Sequence, residues 1–210
     1  MQGGGQALDS TDVRLAADGL ACRRGGRLLF TGLGFSLGSG QAGLVTGPNG
    51  IGKSSLLRLL CGLLPPLSGA VSVSGDMSLA DDRLALDTER SLGHALGFWA
   101  RIDGRPANAL ADAMAAMELS KLAEVPVRML STGQRKRAVL TRTIASGAPI
   151  WLLDEPANGL DSRSLDLLGT VVQDHLSSGG VVLAASHQPL PWESQVAFTL
   201  HAPAEDALDS

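Results

Sequence analysis

The sequence predicts an α/β domain built on a largely parallel sheet, and three observations carry the prediction. Short apolar runs alternate with longer helical stretches through the second half of the chain, the pattern of strands joined by helical crossovers. A glycine-rich turn at residues 47–54, GPNGIGKS, stands directly between a strand-like and a helix-like run. A second strand-like run, IWLLD at 150–154, delivers two adjacent acids, Asp154 and Glu155. In open sheets of this kind ligands collect beyond the carboxyl ends of the strands, so both features are expected at one edge.

Residues 13–37 carry short apolar runs broken by glycine, which read as a small antiparallel sheet. Residues 42–47 form a short buried strand, and KSSLLRLLCGLL a helix with Leu56, Leu57, Leu60 and Leu63 on its apolar face. Residues 69–75 are another strand. The Ala- and Met-rich residues 107–122 are helical, with Met114 and Met117 as core fillers rather than a cofactor box. Residues 134–145 form a helix stopped by Gly147 and Pro149. A buried strand at 150–154, a helix marked by Leu165, Leu168, Val172 and Leu176, and a strand at 181–186 complete the alternation.

Composition bounds the function. A chain of 210 residues that is 44% hydrophobic can bury one sizeable core, or one core and a small lobe, without room for a second full domain. A formal charge of -4 leaves no electrostatic footprint for nucleic acid. The densest basic run, Arg135, Lys136 and Arg137, reads as a solvated helix face. Cys22 and Cys61 are far apart and read as free thiols in a reducing compartment. His94, His175 and His201 show no ligand spacing, so no resident metal or haem site is read from them. There is no run of about 18 apolar residues, and contact with a membrane is expected to need a partner. The ends, 1–11 and 203–210, read as loose tails.

GPNGIGKS fits the phosphate-loop pattern G-x-x-x-x-G-K-[ST] in full, in the strand-to-helix setting its mechanism needs. Glycines 47, 50 and 52 let successive N–H groups point into one concavity, and the following helix adds its positive dipole end. Pro48, Asn49 and Ile51 complete the loop, and Ser55 follows it. Lys53 is expected at the β- and γ-phosphates and Ser54 at Mg²⁺. Asp154 would hold Mg²⁺ through its water shell while Glu155 polarises the attacking water. His187, at the end of another strand, falls on the same sheet edge in reach of the γ-phosphate. Ser131, Thr132 and Gly133 open a helix suited to an anion, a second such site in a chain that already has one.

Taken in order, the phosphate loop, LSTGQ at 130–134, WLLDEP at 151–156, NGLD at 158–161 and SHQ at 186–188 resemble the ATP-binding subunits of ABC transporters over residues 13–200. GFWARIDG at 97–104, VPVRMLSTGQRKR at 125–137 and SHQPL at 186–190 further resemble the haem-exporter ATPases of cytochrome c biogenesis. The resemblance implies one ABC domain over residues 1–210 with a P-loop NTPase core. Its expected sections are an antiparallel β lobe with the phosphate loop at 13–75, a helical signature lobe at 80–147 and the rest of the core at 148–202. It also implies ATP and Mg²⁺, a seat at the cytoplasmic face of the bacterial inner membrane under CcmB/CcmC-like integral-membrane exporter subunits, and no nucleic acid. Two subunits would close head to tail around ATP. Ser131, Thr132, Gly133 and Gln134 would then act in trans on the partner's nucleotide, with Asp161 at the dimer seam and His187 sensing the γ-phosphate. On that resemblance the second anion site would belong to a second ATP.

The chain departs from the family pattern in three places. No Gln occurs between residues 42 and 133, where these subunits carry one that links Mg²⁺ to the membrane partner; Asp81 and Asp82 are the alignable positions. Arg24 falls where an aromatic stacks on adenine, and the chain has no Tyr; a guanidinium plane can also stack on a base. Thr132 replaces the commoner Gly. Another small exporter ATPase, for drugs or polysaccharides, a soluble ABC-type switch, and a nucleotide-binding module without turnover are the alternatives at this stage.

Overall fold

A computed structural model describes residues 13–81, 83 and 85–201. The two tails and Asp82 lie outside the described residues. The antiparallel sheet predicted near the start forms from β1 (Arg14–Arg24) and β2 (Arg27–Gly38). Their connection is a glycine pair, Gly25 and Gly26, with φ of 55° and 79°, the positive values that a tight hairpin demands. The third strand, β4 (Ser68–Ser74), pairs with the free side of β1.

The second sheet holds the site. Its strands β3 (Ala42–Thr46), β5 (Met77–Ala80), β6 (Ile150–Asp154), β7 (Val181–Ala185) and β8 (Val196–Thr199) run in the order β5-β6-β7-β3-β8, and every pairing is parallel. Strands covered on both faces read as continuous apolar runs, which is why β6 and β7 were legible. Strand periodicity divides their side chains between two cores. Ile150, Leu152, Val181, Leu183 and Ala185 face the antiparallel sheet and helix α1 (Lys53–Leu60). Trp151, Leu153, Val182 and Ala184 face the opposite core, which also takes α2 (Leu92–Ile102), α3 (Ala107–Ala116), α4 (Thr132–Ser146) and α5 (Ser162–Ser177). Burying one such Leu or Val contributes about 1.5–3 kcal/mol, so the strand bearing Asp154 is fixed from both sides.

Leu63 is not on the apolar face of α1. The helix ends at Cys61, Gly62 takes φ 72°, and Leu63 is 64% exposed. Gly62 N–H donates to Leu59 O at 2.9 Å and Leu63 N–H to Arg58 O at 2.8 Å, a Schellman closure that turns the chain out of the helix; Leu59 takes the buried place instead. The helix expected over 107–122 is also shorter, because Glu118 adopts φ 53° and a 3₁₀ turn, Ser120–Leu122, follows. Met114 and Met117 are buried in the core. Helix α2 and strands β5 and β8 escaped the sequence reading: Gly93 and Gly97 break the apolar period of α2, and the two strands have only four residues each.

His175 packs rather than ligates. Its ring stacks on Trp151 at 3.7 Å between centroids, its Nε2 lies 3.1 Å from Pro149 O, and burial lowers its pKa. The stack ties α5 to the start of β6.

Candidate nucleotide-binding site

The parallel sheet brings three sequence-distant segments to one edge: the loop after β3, the end of β6 and the end of β7. In the loop, Gly47 has φ 141°, and a Cβ there would stand 2.9 Å from Leu200 O. Gly52, at φ 119°, immediately precedes α1. The loop thus closes over the helix N-terminus in a shape that side-chain-bearing residues would obstruct. Pro48, Asn49 and Gly50 are exposed, while the Ile51 and Ser55 side chains are buried.

Lys53 is 6% exposed and donates to Gly47 O at 2.8 Å, and its Nζ stands 3.6 Å from Glu155 Oε1. The other carboxylate oxygen of Glu155 lies 2.8 Å from His187 Nδ1 and accepts from the His187 N–H at 3.3 Å. A carboxylate only accepts, so Nδ1 carries the proton. Gln188 Nε2, 3.4 Å from His187 Nε2, also donates to Asn158 Oδ1 at 3.2 Å, which holds the ring from its far side. Glu155 itself has φ 45°, a left-handed backbone that costs a non-glycine residue about 1–3 kcal/mol and is retained where the surroundings enforce it.

Asp154 ends β6 at 5% exposure. It shares a cavity of about 420 Å³ with Ser54, Asp81, Glu155, Thr132 and Lys136. An adjoining cavity of about 490 Å³ runs along the phosphate loop past Lys53, Ser54 and Ser55 to Arg24, whose guanidinium reaches within 3.5 Å of Ser55 Oγ. Arg24 therefore lines the groove along the phosphate loop.

The signature residues occupy a different place. Ser131 caps α4: its Oγ accepts from Gln134 N–H at 3.3 Å while its own N–H donates to Gln134 Oε1 at 2.9 Å, a reciprocal capping box. A Cβ on Gly133 would meet Gly159 O at 3.1 Å, so the start of α4 lies against the NGLD turn. Asp161 caps α5 through Ser164 N–H at 2.8 Å, and hydrogen bonds from Ser164 hold its carboxyl below the usual range. Thr132 reaches the cavity that holds Ser54, but Ser131, Gly133 and Gln134 line neither cavity.

Two features were not read from the sequence. Arg58, on α1, pairs with Asp81 at 3.0 Å with both side chains 14% exposed; an i+5 offset from Lys53 in a leucine-rich helix gave no signal. The basic run of α4 is not simply a solvated face. Lys136 Nζ donates to Asp154 O at 3.1 Å and Arg137 to Met117 O at 2.9 Å, while Arg135 stays exposed and donates to Arg128 O at 2.7 Å. The 3.6-residue period turns neighbouring basic side chains to different sides of the helix.

A phosphate loop on a helix N-terminus, a paired Asp-Glu strand end and a histidine on one sheet edge define a nucleotide-hydrolysing P-loop domain. Residues 30–158 match the family described as ABC transporter; the chain belongs to that family and is an ATP-binding, ATP-hydrolysing subunit of it. It is 54% identical over 182 residues to the cytochrome c biogenesis ATP-binding export protein CcmA of Zymomonas mobilis, covering 87% of this chain and 82% of that protein. CcmA of Sphingopyxis alaskensis is also 54% identical, over 83% of this chain and 90% of its own length. Among solved structures, an inward-facing transporter described as of metal-chelate ABC type superposes with a TM-score of 0.79 at 26% identity, over 92% of this chain and 81% of that one. An ABC transporter ATP-binding protein from Pyrococcus furiosus has the same fold, with a TM-score of 0.78 at 24% identity over 90% of this chain and 98% of that one.

Proposed function

We propose that the chain is the ATPase of a cytochrome c biogenesis exporter that handles haem. On this reading it works at the cytoplasmic face of the bacterial inner membrane, beneath CcmB/CcmC-like integral-membrane subunits, as an ATP-dependent head-to-tail homodimer. The observation that carries the catalytic part is the convergence on Glu155 of Lys53 at 3.6 Å and His187 at 2.8 Å beside an intact phosphate loop. The assignment to cytochrome c biogenesis export rests on the similarity to the CcmA proteins, and haem as cargo on the resemblance of residues 97–104, 125–137 and 186–190 to haem-exporter ATPases. Among the described residues no helix is long and apolar enough to cross a membrane, in keeping with a subunit that meets the bilayer through partners. The whole chain is taken as one ABC domain, with a β lobe and loop at 13–75, a helical lobe at 80–147 and the remaining core at 148–202.

Lys53, held by a loop carbonyl, is the cation to be handed to the β- and γ-phosphates, and the N–H groups of residues 49–55 cradle the phosphate chain. Glu155 takes the proton of the attacking water, and His187 keeps the carboxylate oriented and senses the γ-phosphate. Ser54 and Asp154 supply one hydroxyl and one buried carboxylate to a shared cavity. That sparse oxygen set fits Mg²⁺, which retains waters and takes its other ligands from phosphate. Bound there, Mg²⁺ would neutralise charge on the transferring phosphoryl group.

Arg24 is assigned to the adenine. Arg24→Ala should weaken ATP binding by about 0.5–2 kcal/mol, the range of cationic stacking, and Arg24→Trp should restore it; equal dissociation constants for all three proteins would remove the assignment. The function as a whole is tested in a bacterium deprived of its own cytochrome c biogenesis ATPase. Expression of this chain with its membrane partners should restore covalent c-type cytochrome, and Lys53→Ala should not. A chain that hydrolyses ATP but fails to restore cytochrome would point to another exporter.

A further inference from the structure

The peptide unit that joins Asp154 to Glu155 is gripped at both ends. Its N–H, on Glu155, donates to Ala185 O at 2.8 Å. Its carbonyl, on Asp154, accepts from Lys136 Nζ at 3.1 Å. The tilt of this unit fixes φ of Glu155 at 45°, a value an unconstrained Glu would leave. The same tilt determines how the Glu155 side chain departs from the strand, toward Lys53 and His187. The Ala185 grip comes from the neighbouring strand and belongs to the sheet. The Lys136 grip comes from α4, the helix that Ser131 caps.

We propose that Lys136 is a positioning residue for Glu155: its ammonium holds the Asp154 carbonyl, keeps the strained peptide in place, and so aims the carboxylate. This rests on Glu155 being the general base. An ammonium suits the task because a charged donor makes a hydrogen bond about twice as strong as a neutral one. The arrangement gives α4 two roles. On the head-to-tail reading its first residues would face a nucleotide held by another subunit, and Lys136, the fifth residue of the helix, sets the base of its own. A displacement of α4 would then be felt at Glu155 through one side chain.

The test measures kcat, KM for ATP, ATP affinity and melting temperature of the full-length chain with its membrane partner. Lys136→Met should lower kcat about 10- to 100-fold, the scale of a misplaced catalytic group, with KM and ATP affinity changed less than about twofold, and Lys136→Arg should recover most of the loss. Acting through Glu155, Lys136→Met should add little to the defect of Glu155→Gln in single-turnover measurements. Unchanged kcat in Lys136→Met, or the same factor of loss in the Glu155→Gln background as in the wild type, would overturn the proposal. So would equal losses of rate and melting temperature in the Met and Arg variants. If Lys136→Met does not fold, Lys136→Gln, which keeps a neutral donor, decides by the same double-mutant comparison. Wild-type turnover retained by Glu155→Gln alone would instead remove the general-base reading, an outcome separable from any behaviour of Lys136.

Discussion

Glu155→Gln should bind ATP as the wild type does and hydrolyse it about 10² to 10⁴ times more slowly, the usual contribution of a positioned general base. The amide has nearly the shape of the carboxylate and can still accept from His187, whose ring and main-chain N–H both face Oε2, so the site should keep its form. What it loses is basicity toward water. Lys53→Ala is expected to differ in kind. Lys53 is buried at 6% exposure and satisfied by a loop carbonyl and the Glu155 carboxylate; its removal takes away the phosphate anchor and leaves Glu155 without its nearby ammonium, so binding should fail along with turnover. Steady-state hydrolysis and retention of labelled nucleotide separate the two variants. Wild-type turnover in Glu155→Gln would sink the assignment of the base.

The second half of the fold was legible because its strands are buried on both faces and its helices end at explicit punctuation. Gly147, at φ 63°, stops α4 where the sequence placed the break, and Ile150–Asp154 is a strand with the expected bounds. The first half was harder. β4 read as a strand but not as a partner of β1, since register across some fifty residues leaves no mark in a local pattern. Leu63 shows the limit of periodicity: it continues the helical spacing of Leu56 and Leu60, yet Gly62 turns the chain before it can join the helix.

Within the site, the residues whose chemistry is bound to a motif were the legible ones. Lys53, Asp154, Glu155 and His187 sit at strand ends or in the glycine loop, where side-chain direction follows from the fold class. Lys136 and Arg58 act from helix faces against main-chain or paired groups. Helical spacing shows which side such a residue occupies but not what the opposing element presents, so only the folded chain reveals that Lys136 meets the Asp154 carbonyl.

Ser131→Arg should abolish ATP hydrolysis while leaving the nucleotide affinity of an isolated subunit almost unchanged. The motivation is geometric. Ser131 opens α4 at the surface, capped by Gln134, and lines neither cavity around the phosphate loop of its own chain. A helix N-terminus presents unsatisfied N–H groups and positive potential, and the ABC resemblance directs this one toward a nucleotide held by a second subunit. Arginine there would put bulk where that γ-phosphate must dock. The wild-type chain is expected to associate weakly alone, and ATP-loaded Glu155→Gln protein to form a dimer, because unhydrolysed nucleotide completes the interface between loop and signature helix. Mixing supplies the discriminating measurement. Ser131→Arg protein retains a sound phosphate loop and Lys53→Ala protein a sound signature helix, so their mixed dimer rebuilds one composite site. Recovery of hydrolysis on mixing two inactive proteins, by an amount that rises with the fraction of mixed dimer, is the expected result. Ser131→Arg protein with normal turnover, or ATP-loaded Glu155→Gln protein that stays monomeric at high concentration even with its membrane partner present, would show that Ser131 does not act across a subunit boundary.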